Sequence, residues 1–113
     1  MKDCIFCKII NGEIKSEILF ETDDFIVIND ISHMANKHYL IIPKTHFAYL
    51  KDVDKAKSNI IANIMLNMKE IENKLGLEEG YRLVINQRAI AGQTVNHLHM
   101  HILGGQKLGD KFN

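Results

Sequence analysis

At 113 residues the chain has the usual size of one domain and is too short for two comfortable ones. Fourteen acidic and fourteen basic residues cancel, so no field of one sign is available to hold nucleic acid or an anionic membrane. Apolar runs such as Tyr39 to Pro43 fall far short of the roughly 20 residues of a membrane span, and the amino terminus lacks the long apolar core of a secretory signal. The expected location is therefore the cytoplasm. There Cys4 and Cys7, three residues apart, read as thiols or metal ligands rather than a structural disulfide. With no repeat, no low-complexity tract and one proline, Pro43, nothing marks a linker, and a single domain over 1–113 is expected.

In chain order, "EILFET" and "FIVIND" are short and rich in β-branched and aromatic residues, and Asp23 and Asp24 between them favour a turn, which predicts a hairpin. "HYLIIP" predicts a third strand, stopped by Pro43. From Lys55 to Leu75 the residues Ile60, Ile61, Ile64, Met65, Met68, Ile71 and Leu75 recur at helical spacing. Asp52 or Asp54 can cap the start and Gly76 the end, so one long helix is predicted. "GYRLVIN" and "HLHMHIL" supply two further strands. Strands joined by short turns with one inserted helix predict an α+β arrangement, an antiparallel sheet with the helix packed on one face.

The stretch "AGQTVNHLHMHILGG" carries three of the six histidines at alternate positions. On a strand, His97, His99 and His101 share one face and Leu98, Met100 and Ile102 the other. The apolar trio belongs in a core, but three imidazoles in a row contribute nothing to packing. Two chemistries fit them. One is a metal cage of imidazoles; the other is nucleophilic catalysis by a neutral imidazole, with neighbours that bind a developing oxyanion. Gly92, Gln93 and Thr94, just before the trio, offer exposed backbone and neutral donors where a phosphate would lie, which favours an anionic substrate.

"GQTVNHLHMHIL" resembles the His-x-His-x-His-x-x signature of the histidine triad (HIT) family, with Leu98, Met100, Ile102 and Leu103 at the hydrophobic positions. "DCIFCKIINGEI", "FIVINDISHMANKHYLIIPKTH" and "GYRLVINQ" are similar to further landmarks of that family, in the same order, and the likeness is strongest to its nucleoside phosphoramidase branch. The resemblance implies a HIT-like fold: a five-stranded antiparallel sheet, one long helix, a short amino-terminal helix, and sheets joined across a homodimer. It also implies a hydrolase or nucleotidyl transferase acting at the α-phosphate of purine nucleoside 5′-phosphoramidates. A dinucleoside polyphosphate hydrolase and a nucleotide-binding scaffold are the alternatives.

By the same resemblance His99 is the nucleophile, with its second nitrogen held by the backbone carbonyl of His97. Imidazole, with an ordinary pKa of about 6.5, is largely neutral at pH 7 and keeps a lone pair for attack on phosphorus. The nucleotidyl-histidine so formed is then cleaved by water. His101, Gln93, Thr94 and Asn86 match positions around the phosphate, Thr94 and His101 are placed to pass a proton to the departing amine, and His38 matches a further active-site histidine. Asp30 matches the acid that binds the ribose hydroxyls, with Asn29 beside it. Ile5, Phe6, Ile9, Ile28 and Ile31 match an apolar slot for the base, although by residue type alone each is a core candidate.

Cys4-x-x-Cys7 is half of a zinc site, and in zinc-containing relatives the other two ligands resemble His46 and His97. Such a closed Cys2His2 set is structural, and no metal is required for the chemical step. Three positions depart from the family pattern: Lys15 stands where proline is frequent, Gln106 where arginine is common, and the short tail "KLGDKFN" lacks tryptophan. His33 has no role beyond an expected place on the surface.

Overall fold

The computed structural model describes residues 3–112, so residues 1, 2 and 113 of the expected domain lie outside the described residues. The chain runs through α1 (Ile5–Ile10), β1 (Ile18–Glu21), β2 (Phe25–Asn29), β3 (Lys37–Pro43), α2 (Lys55–Leu66), α3 (Met68–Leu75), β4 (Tyr81–Val84) and β5 (Met100–Gly104). The strands form one antiparallel sheet in the order β1-β2-β3-β5-β4. The β1–β2 turn closes on Thr22, whose hydroxyl accepts hydrogen bonds from the Asp24 and Phe25 amides. Helices α2 and α3 carry the chain over the sheet from β3 to edge strand β4, and β5 then returns between β3 and β4. This return sets the last two triad histidines beside the centre of the sheet.

Both faces of the central strands are buried, which is why β2 and β3 read as continuous apolar runs rather than as alternations. Phe25, Val27, Ile41, Met100 and Ile102 meet Ile60, Ile64, Met68 and Ile71 of α2 and α3. Ile26, Ile28, Leu40 and Ile42 point the other way and meet Cys4, Phe6 and Cys7. Full burial of side chains of this size contributes about 1.5–3 kcal/mol each, so the helices and the sheet hold one another in place. The long helix packs on one face, as expected, while α1 covers part of the other.

Two features differ from the sequence expectation. The predicted helix from Lys55 to Leu75 is divided at Asn67, whose side-chain amide donates to the carbonyl and side-chain oxygens of Asn63 at 2.8 and 3.0 Å. A side chain that competes for the helix's own acceptor loosens the turn. The core-facing spacing survives the break, but Met65 turns outward and is exposed. Asp54, rather than Asp52, caps α2, and Gly76 closes α3 in the left-handed conformation.

The second difference concerns the triad. The strand expected from His97 begins at Met100, because residues 95–97 bend and the Leu98 amide donates to the Phe47 carbonyl instead of a ladder partner. Among the described residues no helix is long and apolar enough to cross a membrane.

Candidate functional site

The triad splits into three environments. His97 is fully buried and its Nε2–H donates to the Pro43 carbonyl at 2.7 Å, which leaves Nδ1 as a bare lone pair. That nitrogen lies 3.3 Å from Cys4 Sγ, 3.6 Å from Cys7 Sγ and 3.1 Å from His46 Nδ1, and His46 Nδ1 lies 3.3 Å from Cys7 Sγ. All four donor atoms are within 4.8 Å of one another. Ligands on one zinc-sized ion, at about 2.0–2.3 Å each, stand about 3.3–3.8 Å apart along tetrahedral edges, close to what is found. The four donors could therefore hold one metal ion. Burial and the neighbouring Cys4 push the Cys7 thiol up, and a bound cation would oppose that by favouring the thiolate. Burial holds His97 down at about 4, against the pull of its bond to Pro43, so the ring is neutral and fit to act as a ligand.

His99 is held differently. Its Nδ1–H donates to the His97 carbonyl at 2.8 Å, and since a carbonyl can only accept, the proton sits on Nδ1 and the Nε2 lone pair is free. Nε2 has no protein partner and reaches solvent, because no buried side-chain nitrogen among the described residues lacks a bond. The Phe6 ring packs edge-on to His99 at 5.0 Å and to His97 at 5.8 Å, fixing both imidazoles from the α1 side.

His101 ends a hydrogen-bonded chain. The Met34 amide donates to His38 Nδ1 at 3.0 Å, so the neutral His38 carries its proton on Nε2, 2.8 Å from His101 Nδ1 and 3.2 Å from Asp30 Oδ2. His101 Nδ1 therefore accepts, and its Nε2–H is the free end of the ring. The ring centroids of His99 and His101 are 5.1 Å apart. In the tautomers these bonds select, the free lone pair of His99 thus stands beside the free N–H of His101. For Asp30, burial would raise the carboxyl, but the Ser32 amide and hydroxyl at 2.8 and 2.7 Å, with His38 and His101, outweigh it and hold the group below its ordinary value. Ser32, the Met34 amide and the Pro43 carbonyl were not foreseen. Only Ser32 left a sequence signal, since Asp-x-Ser favours an Asx turn.

Several expected site residues are placed otherwise. Gln93 is buried with its side chain fully committed: Oε1 accepts from the Arg88 amide at 2.6 Å, and Nε2 donates to the carbonyls of Ala48 and Val95. It shapes the loop, with its side-chain donors turned to backbone carbonyls. Thr94 is exposed, makes no hydrogen bond to His101, and lines a cavity of about 440 Å³ with Cys4, Ile5 and His46. Asn86 lines a different cavity, of about 660 Å³, with Ser32, His38 and His101. Of the expected base slot, Phe6 and Ile28 are buried and Ile9 packs against them, whereas Ile5 is half exposed and Ile31 fully so. Asn29 is exposed at the end of β2, and His33 lies on the surface with a φ of 48°.

The HIT domain model matches residues 11–108. The chain belongs to the HIT family. An uncharacterized HIT-like protein of Synechococcus elongatus is 41% identical over 107 residues, covering 95% of this chain and 94% of its own. A HIT family hydrolase from Clostridium thermocellum superposes with a TM-score of 0.93 at 42% identity, over 100% of this chain and 99% of that one. Another, from Legionella pneumophila, gives 0.87 at 42% identity over 95% and 96%. The fold of this HIT protein is therefore the α+β HIT fold, with its five-stranded antiparallel sheet.

The neutral imidazoles give this HIT domain an acid-sensitive stability. Burial, with the neighbouring His99 and His38, holds His101 at about 4, although Asp30 pulls the other way; unfolded, it would take up a proton at about 6.5. Between those values the unfolded chain binds more protons, so stability present at pH 7 is lost as pH falls from about 6.5 towards 4. The denaturation midpoint at pH 5 is expected below that at pH 7, and His101→Gln should flatten this slope. Equal slopes in the two proteins would remove His101 as the cause.

Proposed function

We propose that this chain is a nucleotide hydrolase or nucleotidyl transferase acting at the α-phosphate of purine nucleoside 5′-phosphoramidates. The observation that carries the reading is the pairing of a free Nε2 lone pair on His99 with a free Nε2–H on His101, in rings 5.1 Å apart. The solved relatives named as HIT family hydrolases support a hydrolytic outcome.

The His99 Nε2 lone pair forms a bond to phosphorus as the phosphorus–nitrogen bond breaks. The departing nitrogen keeps the electron pair and takes a proton from His101 after that ring has taken one up from solvent beside the Asp30 carboxylate; neutral His38 and ionised Asp30 orient His101 and have no proton of their own to give. Water then attacks the nucleotidyl-histidine, and His99 leaves with its lone pair restored. The His97 carbonyl keeps the His99 proton on Nδ1 and stabilises the positive charge that develops when Nε2 bonds phosphorus. In this reading Asp30 receives the ribose hydroxyls; its oxygens now hold Ser32 and His38, so a diol would share or displace a partner.

In this reading Cys4, Cys7, His46 and His97 hold one structural zinc ion, which when bound ties the amino terminus to the loop carrying the nucleophile's anchor. Two free cysteines suit a reducing cytoplasm. The unpaired outer edge of β4 is available for sheet joining in a homodimer. The test is a parallel rate comparison on adenosine 5′-phosphoramidate and a diadenosine polyphosphate, with mass spectrometry for a trapped adduct. Faster phosphoramidate turnover with nucleotide on His99 is expected. Faster polyphosphate turnover would replace this substrate class, and bound nucleotide with no turnover would leave a binding protein.

A further inference from the structure

On the histidine face of the sheet α1 covers β2 and β3, while the β4–β5 half is left as a cavity of about 660 Å³. Its lining includes His38, Asn86 and His101 together with Arg82, Lys111 and Phe112. Among the described residues the formally charged side chains lining it are Arg82 and Lys111, both cationic. Among the described residues neither forms an ion pair with a carboxylate. The nearby acid, Asp30, turns Oδ2 to His38 and His101 and Oδ1 to Ser32. Arg82 is fixed in place, since Nη2 donates to the Gly109 carbonyl and Phe112 lies 5.1 Å over the guanidinium. The tail after β5 thus brings a second positive charge, Lys111, to the cavity beside the proton donor.

Resting on the phosphoryl-transfer reading above, we infer that this cavity receives the leaving group and selects one that carries an anionic group, a carboxylate or a phosphate. A leaving atom protonated by His101 must lie against that ring, and His101 lines this cavity. Any group extending from the leaving atom then enters a space whose formally charged side chains, among the described residues, are positive and without a carboxylate partner, so an anion gains attraction there and a cation meets repulsion. Lys111 and Arg82 are specificity determinants in this scheme and take no part in bond breaking.

The test uses adenosine 5′-phosphoramidates of four amines with the same propyl spacing to the distal group: 4-aminobutanoate, its neutral amide, 3-aminopropyl phosphate and 1,3-diaminopropane. The expected result is a kcat/KM for the anionic compounds about fivefold to tenfold above the amide, with the diamine below it. The preference should shrink as salt rises from about 0.1 M to about 1 M. Whichever anion is faster names the class. Lys111→Glu, at an exposed position in the tail, should cancel or reverse the ranking, with turnover of the neutral amide changing less than that of either anion. Equal rates on all four compounds, a preference for the diamine, or a ranking that Lys111→Glu does not move would overturn the inference and leave the phosphoramidase reading standing. No turnover of any of them would overturn both.

Discussion

Replacing His99 with alanine is expected to lower phosphoramidate turnover by about a thousandfold or more, because a nucleophile has no substitute once its lone pair is gone. The fold should survive. The His99 ring is buried at the rim of the sheet, and its one hydrogen bond inside the protein goes to the His97 carbonyl, so truncation leaves one acceptor to be met by water. Thermal midpoint and monophosphate affinity should therefore stay close to those of the parent protein, which separates a lost reaction from a lost structure. His101→Ala is the useful companion. It removes the proton donor but not the nucleophile, so its deficit should be smaller for a substrate whose leaving group needs no proton. If His99→Ala keeps a tenth of the parent rate, some other group attacks phosphorus.

Cys4→Ser is expected to release zinc and to lower the thermal midpoint by about 10 °C or more, since each kcal/mol is worth about 4–8 °C in a domain of 60–100 residues. The substitution is chosen because Cys4 also caps α1, with Sγ accepting from the Cys7 amide at 3.4 Å, and serine retains that role. Loss of stability then reports the metal and not the cap. Elemental analysis and calorimetry on the purified proteins measure both quantities. Turnover should fall as well, because the His97 ring would lose one anchor, and the backbone beside that ring holds His99. A parent protein that purifies without metal, with a thermal midpoint equal to that of Cys4→Ser, would dispose of the zinc assignment.

The chain itself determined the alternation at 97–103, the helical spacing at 60–75 and the apolar runs of β2 and β3. These follow from covalent geometry and from which side chains leave water, both local properties. The HIT signature and Cys4-x-x-Cys7 were likewise legible as residue types at fixed spacings, whereas His46 and His97 entered as metal donors through the resemblance to zinc-containing relatives. Tertiary structure alone decided how polar groups pair. It brought Cys4 within 3.3 Å of His97, 93 residues away, and set Pro43 and Met34 to choose the tautomers of His97 and His38. It also spent Gln93 on backbone that sequence could not foresee, divided the long helix at Asn67, and carried Lys111 of the tail to the cavity of His101. A hydrogen bond has direction and few partners, and its partners come from segments that meet only when the sheet closes; hydrophobic periodicity needs only its own neighbours.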